Sequence, residues 1–235
     1  MELSSKTARE LFIDLIANPR RNPFGFGSKP ALINIDLQKA YTRPDLYPRT
    51  GYQTNPDQIE FVNQLSTAFR DKGCPVVWTY VSYLESGEDC GIWAIRSNTP
   101  DSLQNIKNGS DRAALDERLA VDHQRDVVMH KRMASAFFET NLASLLTFHR
   151  VDTLVLAGGS TSGCVRATAV EGISRGYRVL VAEECVADKH EGPHFANLYD
   201  IQVKYGDVIK TQSAIDHMKS TAFVGPALAL NIARQ

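Results

Sequence analysis

The stretch Val151-Asp-Thr-Leu-Val-Leu-Ala-Gly-Gly-Ser-Thr-Ser-Gly-Cys-Val-Arg-Ala-Thr168 decides the fold. Its first part, Val151 to Leu156, is a run of branched apolar residues and reads as a buried strand. Its continuation, Val165 to Arg175, is small and apolar at helical spacing, and Gly176 marks its end. Between them lies a turn of Gly, Ser and Thr, with Cys164 where strand becomes helix. Glycine permits close approach of other atoms to the backbone, and the hydroxyls of Ser160, Thr161 and Ser162 are N-cap candidates. A helix start carries free N–H groups and partial positive charge, which favours a thiolate and can hold an oxyanion beside it. The bland alternative, a small inert cysteine packed in a tight turn, has equal weight on this stretch alone.

Working outward, four further segments read as strands: Ala31–Leu37, Pro75–Val81, Asp126–Lys131 and Tyr177–Ala182, with a short sixth at Asp207–Lys210. Helical patterns separate them at Gln58–Asp71, Asn141–His149 and Phe195–Tyr205, and an amphipathic helix at 5–17 precedes them. The first strand is almost continuously apolar, as a parallel strand covered on both faces must be. Strand–helix alternation then predicts an α/β fold, a parallel sheet with helices on both faces. Ligands in such sheets bind at the C-terminal strand ends. Asp36 and Lys131 end two of those strands, and Cys164 follows a third. Lys189, His190 and His194 lie beyond the fifth strand, in a stretch that reads as a polar loop from Glu183 to His194. Residues 82–125 form a long aperiodic segment, read as a pocket wall or lid with a short helix at Asp111–Leu119.

Composition narrows the function. The 235 residues suit one large domain, and a formal net charge of −1 offers no field for nucleic acid or an anionic membrane. No run is apolar enough to span a bilayer, and the N-terminus lacks a signal-peptide core. The four cysteines form no CxxC pair, so reduced thiols in the cytoplasm are expected. The apolar tail Thr221–Gln235 is expected to dock, at a subunit interface of a homo-oligomer, dimer or tetramer.

Four further motifs accompany the Cys164 turn: Phe24-Gly-Phe-Gly27, Pro30-Ala-Leu-Ile-Asn-Ile-Asp-Leu37 with Ala40-Tyr-Thr42, Lys131-Arg-Met-Ala-Ser-Ala-Phe-Phe138, and Ala187-Asp-Lys-His-Glu-Gly-Pro-His194. Together they resemble the isochorismatase-like superfamily of cysteine hydrolases, in particular its amidase branch acting on N-carbamoylsarcosine and maleamate. The resemblance implies a three-layer Rossmann-like fold with a six-stranded parallel sheet, occupying residues 30–220 after an N-terminal helix and loop at 1–29. It implies a catalytic triad of Asp36, Lys131 and Cys164, and an oxyanion hole from the N–H groups of Gly163 and Cys164. It also implies a cis peptide between Gly159 and Ser160, and a substrate carboxylate held by Lys189, with Ser160 and Thr161 as further substrate contacts. Trp93, Tyr83 and Phe137 are the expected apolar walls. The metal-binding Asp and His set of nicotinamidases is missing near the second strand, so neither metal nor other cofactor is expected. The implied activity is hydrolysis of a small carboxylate-bearing amide or ureido compound, a maleamate-type monoamide being the alternative. From another class, Cys164 in a redox sensor or ligand-binding protein stays open.

Overall fold

A computed structural model describes residues 5–19, 21–96 and 105–223. In chain order its elements are α1 (Ala8–Ala17), β1 (Pro30–Ile35), α2 (Lys39–Thr42), α3 (Gln58–Asp71), β2 (Val76–Val81), α4 (Trp93–Arg96), β3 (Val127–Lys131), α5 (Leu142–Phe148), β4 (Thr153–Gly159), α6 (Arg166–Ser174), β5 (Arg178–Ala187), α7 (Glu191–Asp200), β6 (Asp207–Ile209) and α8 (Thr211–Ser220). The sheet order is β3-β2-β1-β4-β5-β6, and every pairing is parallel.

Alternation along the strands divides the core in two. Ile33, Ile35, Val77, Leu154 and Leu156 pack with Leu142, Leu146, Ala169 and Leu198 of α5, α6 and α7, and with Phe12 of α1. Leu32, Trp78, Val155 and Leu180 face the other way, onto Val62, Leu65 and Phe69 of α3 and Ala214 and Met218 of α8. This is the three-layer arrangement. Thr7 starts α1 with a reciprocal cap, its hydroxyl accepting from Glu10 N–H while the Glu10 carboxylate accepts from Thr7 N–H.

β1 is central, and the chain leaves it first toward β2 and β3, then crosses to β4 on its other side. The sheet's switch point therefore lies between the C-terminal ends of β1 and β4, where open α/β sheets place their ligands. Gly158 makes the two strands fit there. Its φ is +102°, and a Cβ would lie 1.9 Å from the Ile35 carbonyl oxygen.

Several segments depart from the sequence reading. β5 runs through Glu183 and Glu184 to Ala187, with its register slipping against β4 between Leu156 and Gly158. The two carboxylates that suggest a loop are neutralised from afar: Lys210 pairs with Glu183, and Glu184 accepts from the N–H and hydroxyl of Thr211. α7 begins at Glu191, so His194 is helical, and the helix continues as a π-type turn over Ile201–Tyr205. α8 replaces a stretch the sequence left unassigned. The short helix of the 82–125 segment shrinks to a 3-10 turn at Asp111–Ala113, capped by Ser110. Gln38 ties this segment to the sheet, donating to the carbonyls of Val81 and Ala113 and accepting from Val81 N–H. Phe223 packs on the α3–α8 core, while the rest of the tail, from 224 on, lies outside the described residues.

Candidate active site

Asp36, Lys131 and Cys164 meet at the switch point. Asp36 follows β1 directly, in a left-handed conformation (φ 51°) that a non-glycine residue adopts at a cost of about 1–3 kcal/mol. Its N–H donates to the Thr79 carbonyl at 3.1 Å, and its Oδ1 accepts from the Thr79 hydroxyl at 2.8 Å. Oδ2 lies 2.7 Å from Lys131 Nζ as an ion pair, with both side chains buried. A carboxylate oxygen has two lone pairs, so beside this contact Oδ2 can still accept another proton. Lys131 Nζ also donates to the Met133 carbonyl at 3.0 Å and lies 3.4 Å from Cys164 Sγ.

Burial pushes the Cys164 thiol up to about 12; Lys131 opposes this and the Asp36 carboxylate adds to it. Cys164 sits in a π-type turn, Thr161–Val165, ahead of α6. A thiol held up in this way is favoured in its neutral form. Burial alone would lower the Lys131 ammonium, but the neighbouring Asp36 and Cys164 raise it above the ordinary value, so it stays charged.

The turn is fixed from three sides. Asp188 at the end of β5 accepts from Ser162 N–H at 2.8 Å, while its own N–H donates to the Thr54 hydroxyl. The Thr168 hydroxyl donates to the Cys164 carbonyl and accepts from Ala136 N–H. Thr161, fully buried, shares a 2.8 Å hydrogen bond with His194 Nδ1. The Gly159–Ser160 peptide is cis.

Beside the turn opens a pocket of about 220 Å³, lined by Tyr41, Thr50, Tyr52, Ile106, Ser160, Asp188 and Lys189. Tyr41 and Tyr52 stack at 5.4 Å, and burial raises both phenols well above their usual range, so each is a neutral donor. A larger groove of about 670 Å³ runs between α1 and the turn at 201–205, and Asp36, Lys131 and Cys164 are in the lining of neither cavity. Among the described residues no cluster of three His, Cys, Asp or Glu side chains is placed to hold a metal ion, and no helix is long and apolar enough to cross a membrane. The isochorismatase domain model matches residues 30–213.

The chain belongs to the isochorismatase family.

Its relatives in that family include maleamate amidohydrolase of Pseudomonas putida, 42% identical over 84% of this chain and 91% of that protein. N-carbamoylsarcosine amidase of an Arthrobacter species is 36% identical over 83% of this chain and 73% of that one. Among solved structures, a cysteine hydrolase from Pseudomonas syringae pv. phaseolicola superposes with a TM-score of 0.74 at 23% identity, covering 85% of this chain and 96% of that one, a likeness of fold. The chain is an amidohydrolase of the isochorismatase family.

In this isochorismatase-family site several expected contacts fall elsewhere. Gly163 N–H donates to the Ser160 carbonyl at 3.0 Å, so it is not a free oxyanion donor. Ser160 N–H, on the pocket rim, has no acceptor among the described residues. Thr161 faces His194, away from the pocket. Phe137 belongs to the core, stacked on Tyr177 under the Arg175 guanidinium. Tyr83 is fully buried, its hydroxyl bound to the Arg132 carbonyl; it braces the chain after Lys131 and forms no pocket wall. Trp93 sits in α4, a short surface turn flanked by the exposed Ile92 and Ile95, outside the pocket lining. Ser160 and Lys189 do line the pocket, with Lys189 Nζ donating to the Arg49 carbonyl. The sequence offered no signal for Tyr52, a single residue in an aperiodic loop, and Asp188 lay inside the Ala187–His194 motif without a role of its own. His194 drew notice by position alone.

His194 gives the family site a pH-dependent anchor. Burial lowers its imidazole from 6.5 to about 4, so the folded protein holds it neutral. The unfolded chain binds that proton first, so between about 6.5 and 4 it carries more protons and stability falls as pH falls. The loss is up to roughly 3 kcal/mol over that window. Thermal unfolding of His194→Gln is expected to show a flatter acid limb than wild type. An unchanged limb would remove His194 from the linkage.

Proposed function

We propose that this chain hydrolyses the C–N bond of a small carboxylate-bearing amide through a thioester on Cys164, with release of ammonia. The observation that carries the reading is the buried contact of Lys131 Nζ with both Asp36 Oδ2, at 2.7 Å, and Cys164 Sγ, at 3.4 Å. Asp36 Oδ2 takes the thiol proton and the sulfur attacks the amide carbon. The N–H groups of Cys164 and Ser160 receive the oxyanion. Asp36 passes the proton to the departing nitrogen, which leaves as ammonia. Water, deprotonated by the same carboxylate, then cleaves the thioester, yielding the free acid and restoring the thiol. Lys131 keeps Asp36 in register and offsets negative charge on the sulfur.

The small pocket suits a substrate of few heavy atoms. A maleamate-like monoamide is the leading substrate class. It is supported by the greater identity and coverage of the maleamate amidohydrolase relative, and by the flat Tyr41–Tyr52 stack, which suits a planar unsaturated acid. An N-carbamoyl amino acid is the second. A single catalytic domain over 30–220, assembled as a homo-oligomer, belongs to the same proposal. The outward Ile92 and Ile95, 75% and 81% exposed, support assembly. Four unpaired cysteines support a reducing compartment such as the cytoplasm.

The test is ammonia release from maleamate, N-carbamoylsarcosine, nicotinamide and biuret by wild type and Cys164→Ser. Turnover of a carboxylate-bearing substrate, lost by about 10⁴-fold or more in the variant, is expected. Full turnover by a folded Cys164→Ser protein, or silence on every carboxylate-bearing amide, would overturn it.

A further inference from the structure

The oxyanion hole lacks one of its expected donors. Gly163 N–H is committed to the Ser160 carbonyl at 3.0 Å, which leaves the N–H groups of Cys164 and Ser160. Charge that develops on a carbonyl oxygen is best met by donors already in place. The pocket holds such a donor in the phenol of Tyr52. Burial keeps it protonated, and the charges of Asp36 and Cys164 are among the causes that push it further up. Its oxygen has no hydrogen-bond partner among the described residues. The phenols of Tyr47 and Tyr83, by contrast, are spent on the Asp111 carboxylate and the Arg132 carbonyl.

Position ties this phenol to the nucleophile's end of the pocket. Tyr52 and Ser160 both line it. The edge of the Tyr52 ring rests on Gly159: a Cβ added there would lie 2.4 Å from its Cε2 and Cζ and 2.5 Å from its hydroxyl oxygen. Any side chain at 159 would displace the phenol, so glycine is needed there for the tyrosine. Gly159 carries the peptide that ends in Ser160 N–H, so the phenol oxygen packs against the residue next to that N–H. The ring lies parallel to that of Tyr41 at 5.4 Å, and Tyr52 N–H donates to the Tyr41 carbonyl at 2.7 Å. The N–H groups of Gln53 and Thr54 then donate to the Asp188 carbonyl. A donor fixed in this way and left unmatched needs little reorganisation when an acceptor arrives.

We infer that Tyr52 is a catalytic residue, its phenol donating to the substrate's carbonyl oxygen as that oxygen turns anionic beside Ser160 N–H. The inference rests on the amidase reading above and adds a side-chain donor to its two backbone N–H groups. A phenol that only gripped the substrate would act on binding and leave the chemical step alone. The two roles move different quantities, kcat for the first and KM for the second.

The test compares wild type with Tyr52→Phe, which removes one oxygen and keeps the ring on Tyr41 and Gly159. Ammonia release from the best substrate of the panel above gives kcat and KM. The value of kcat is expected to fall roughly 100-fold, the lower end of the loss for one oxyanion donor, with KM within about threefold. The melting temperature should stay within about 2 °C, since the lost oxygen bonds nothing in the described fold. A second readout needs no turnover. Succinic semialdehyde can add to Cys164: the S–C bond forms, the C=O π bond opens, and the thiol proton passes to the aldehyde oxygen. The thiohemiacetal so formed mimics the tetrahedral state. Its affinity by titration calorimetry should fall roughly 10- to 100-fold in Tyr52→Phe, while that of succinate, which forms no such adduct, holds. Unchanged kcat, or unchanged aldehyde affinity, would overturn the inference. So would a raised KM at constant kcat, an equal loss for succinate and aldehyde, or a marked fall in melting temperature. A wild type that binds the aldehyde through Tyr52 but releases no ammonia would refute the amidase reading and leave the donor standing. A wild type that does neither would overturn both.

Discussion

Asp36→Asn is expected to cut ammonia release by about 10³-fold or more while making Cys164 easier to alkylate at neutral pH. The two effects have one origin. Asparagine keeps the shape of Asp36 and an oxygen to accept from the Thr79 hydroxyl, so the local fold has what it needs. It cannot take a proton from the thiol or return one to the leaving nitrogen, and turnover stops at that step. Yet the Asp36 charge is also one cause that holds the thiol up at about 12. Without it, Lys131 at 3.4 Å has only the sulfur to pair with, and the thiolate gains. Iodoacetamide should then label Cys164 several-fold faster in the variant than in wild type. A variant that is slower in both reactions would mean a distorted site. A variant that turns over substrate normally would remove Asp36 as the base. A redox sensor would show the faster labelling with no ammonia to lose, so the pair of measurements also separates the two classes.

What could be read in the sequence follows from where the forces are local. β1 announces itself because Ala31 to Ile35 is apolar but for Asn34, and Asp36 stands out because a carboxylate rarely ends such a run without a task. The Cys164 turn is equally plain, since glycine and small hydroxyl residues between an apolar strand and a helix have few other uses. The end of β5 was hidden because Glu183 and Glu184 find their partners at Lys210 and Thr211, beyond the next helix. No local pattern reports a charge neutralised at that distance. Phe137, Tyr83 and Trp93 were misplaced for a different reason. An aromatic residue near a site serves equally as core or as wall, and only packing separates the two: Phe137 and Tyr83 are buried, and Trp93 is half-buried in α4. Tyr52 lies in a loop without periodicity, and its relation to the pocket exists only once that loop packs on Tyr41 and against Gly159.

Lys131→Met is expected to be the most destabilising of the site substitutions. The lysine side chain is fully buried and the Asp36 carboxylate nearly so, at 0% and 1% exposed. Methionine fills much of the same volume, so little is lost in packing. The cost comes from Asp36, left with the Thr79 hydroxyl and backbone contacts but without its counter-charge. Breaking a buried pair from one side typically costs about 3–5 kcal/mol, because the remaining charge stays desolvated. For a chain of this size each kcal/mol moves the melting temperature by about 2–4 °C, so a fall on the order of 10 °C is expected. The double variant Asp36→Asn with Lys131→Met decides the cause. Removing both charges leaves a neutral amide beside an apolar side chain, and most of the lost stability should return, a coupling of several kcal/mol in the cycle. Activity should not return, since the base is gone. If the double variant is as unstable as Lys131→Met, the loss came from packing around the lysine stem and its Met133 carbonyl contact. The ion pair would then be a catalytic arrangement that the fold tolerates, with no share in holding the sheet edges together.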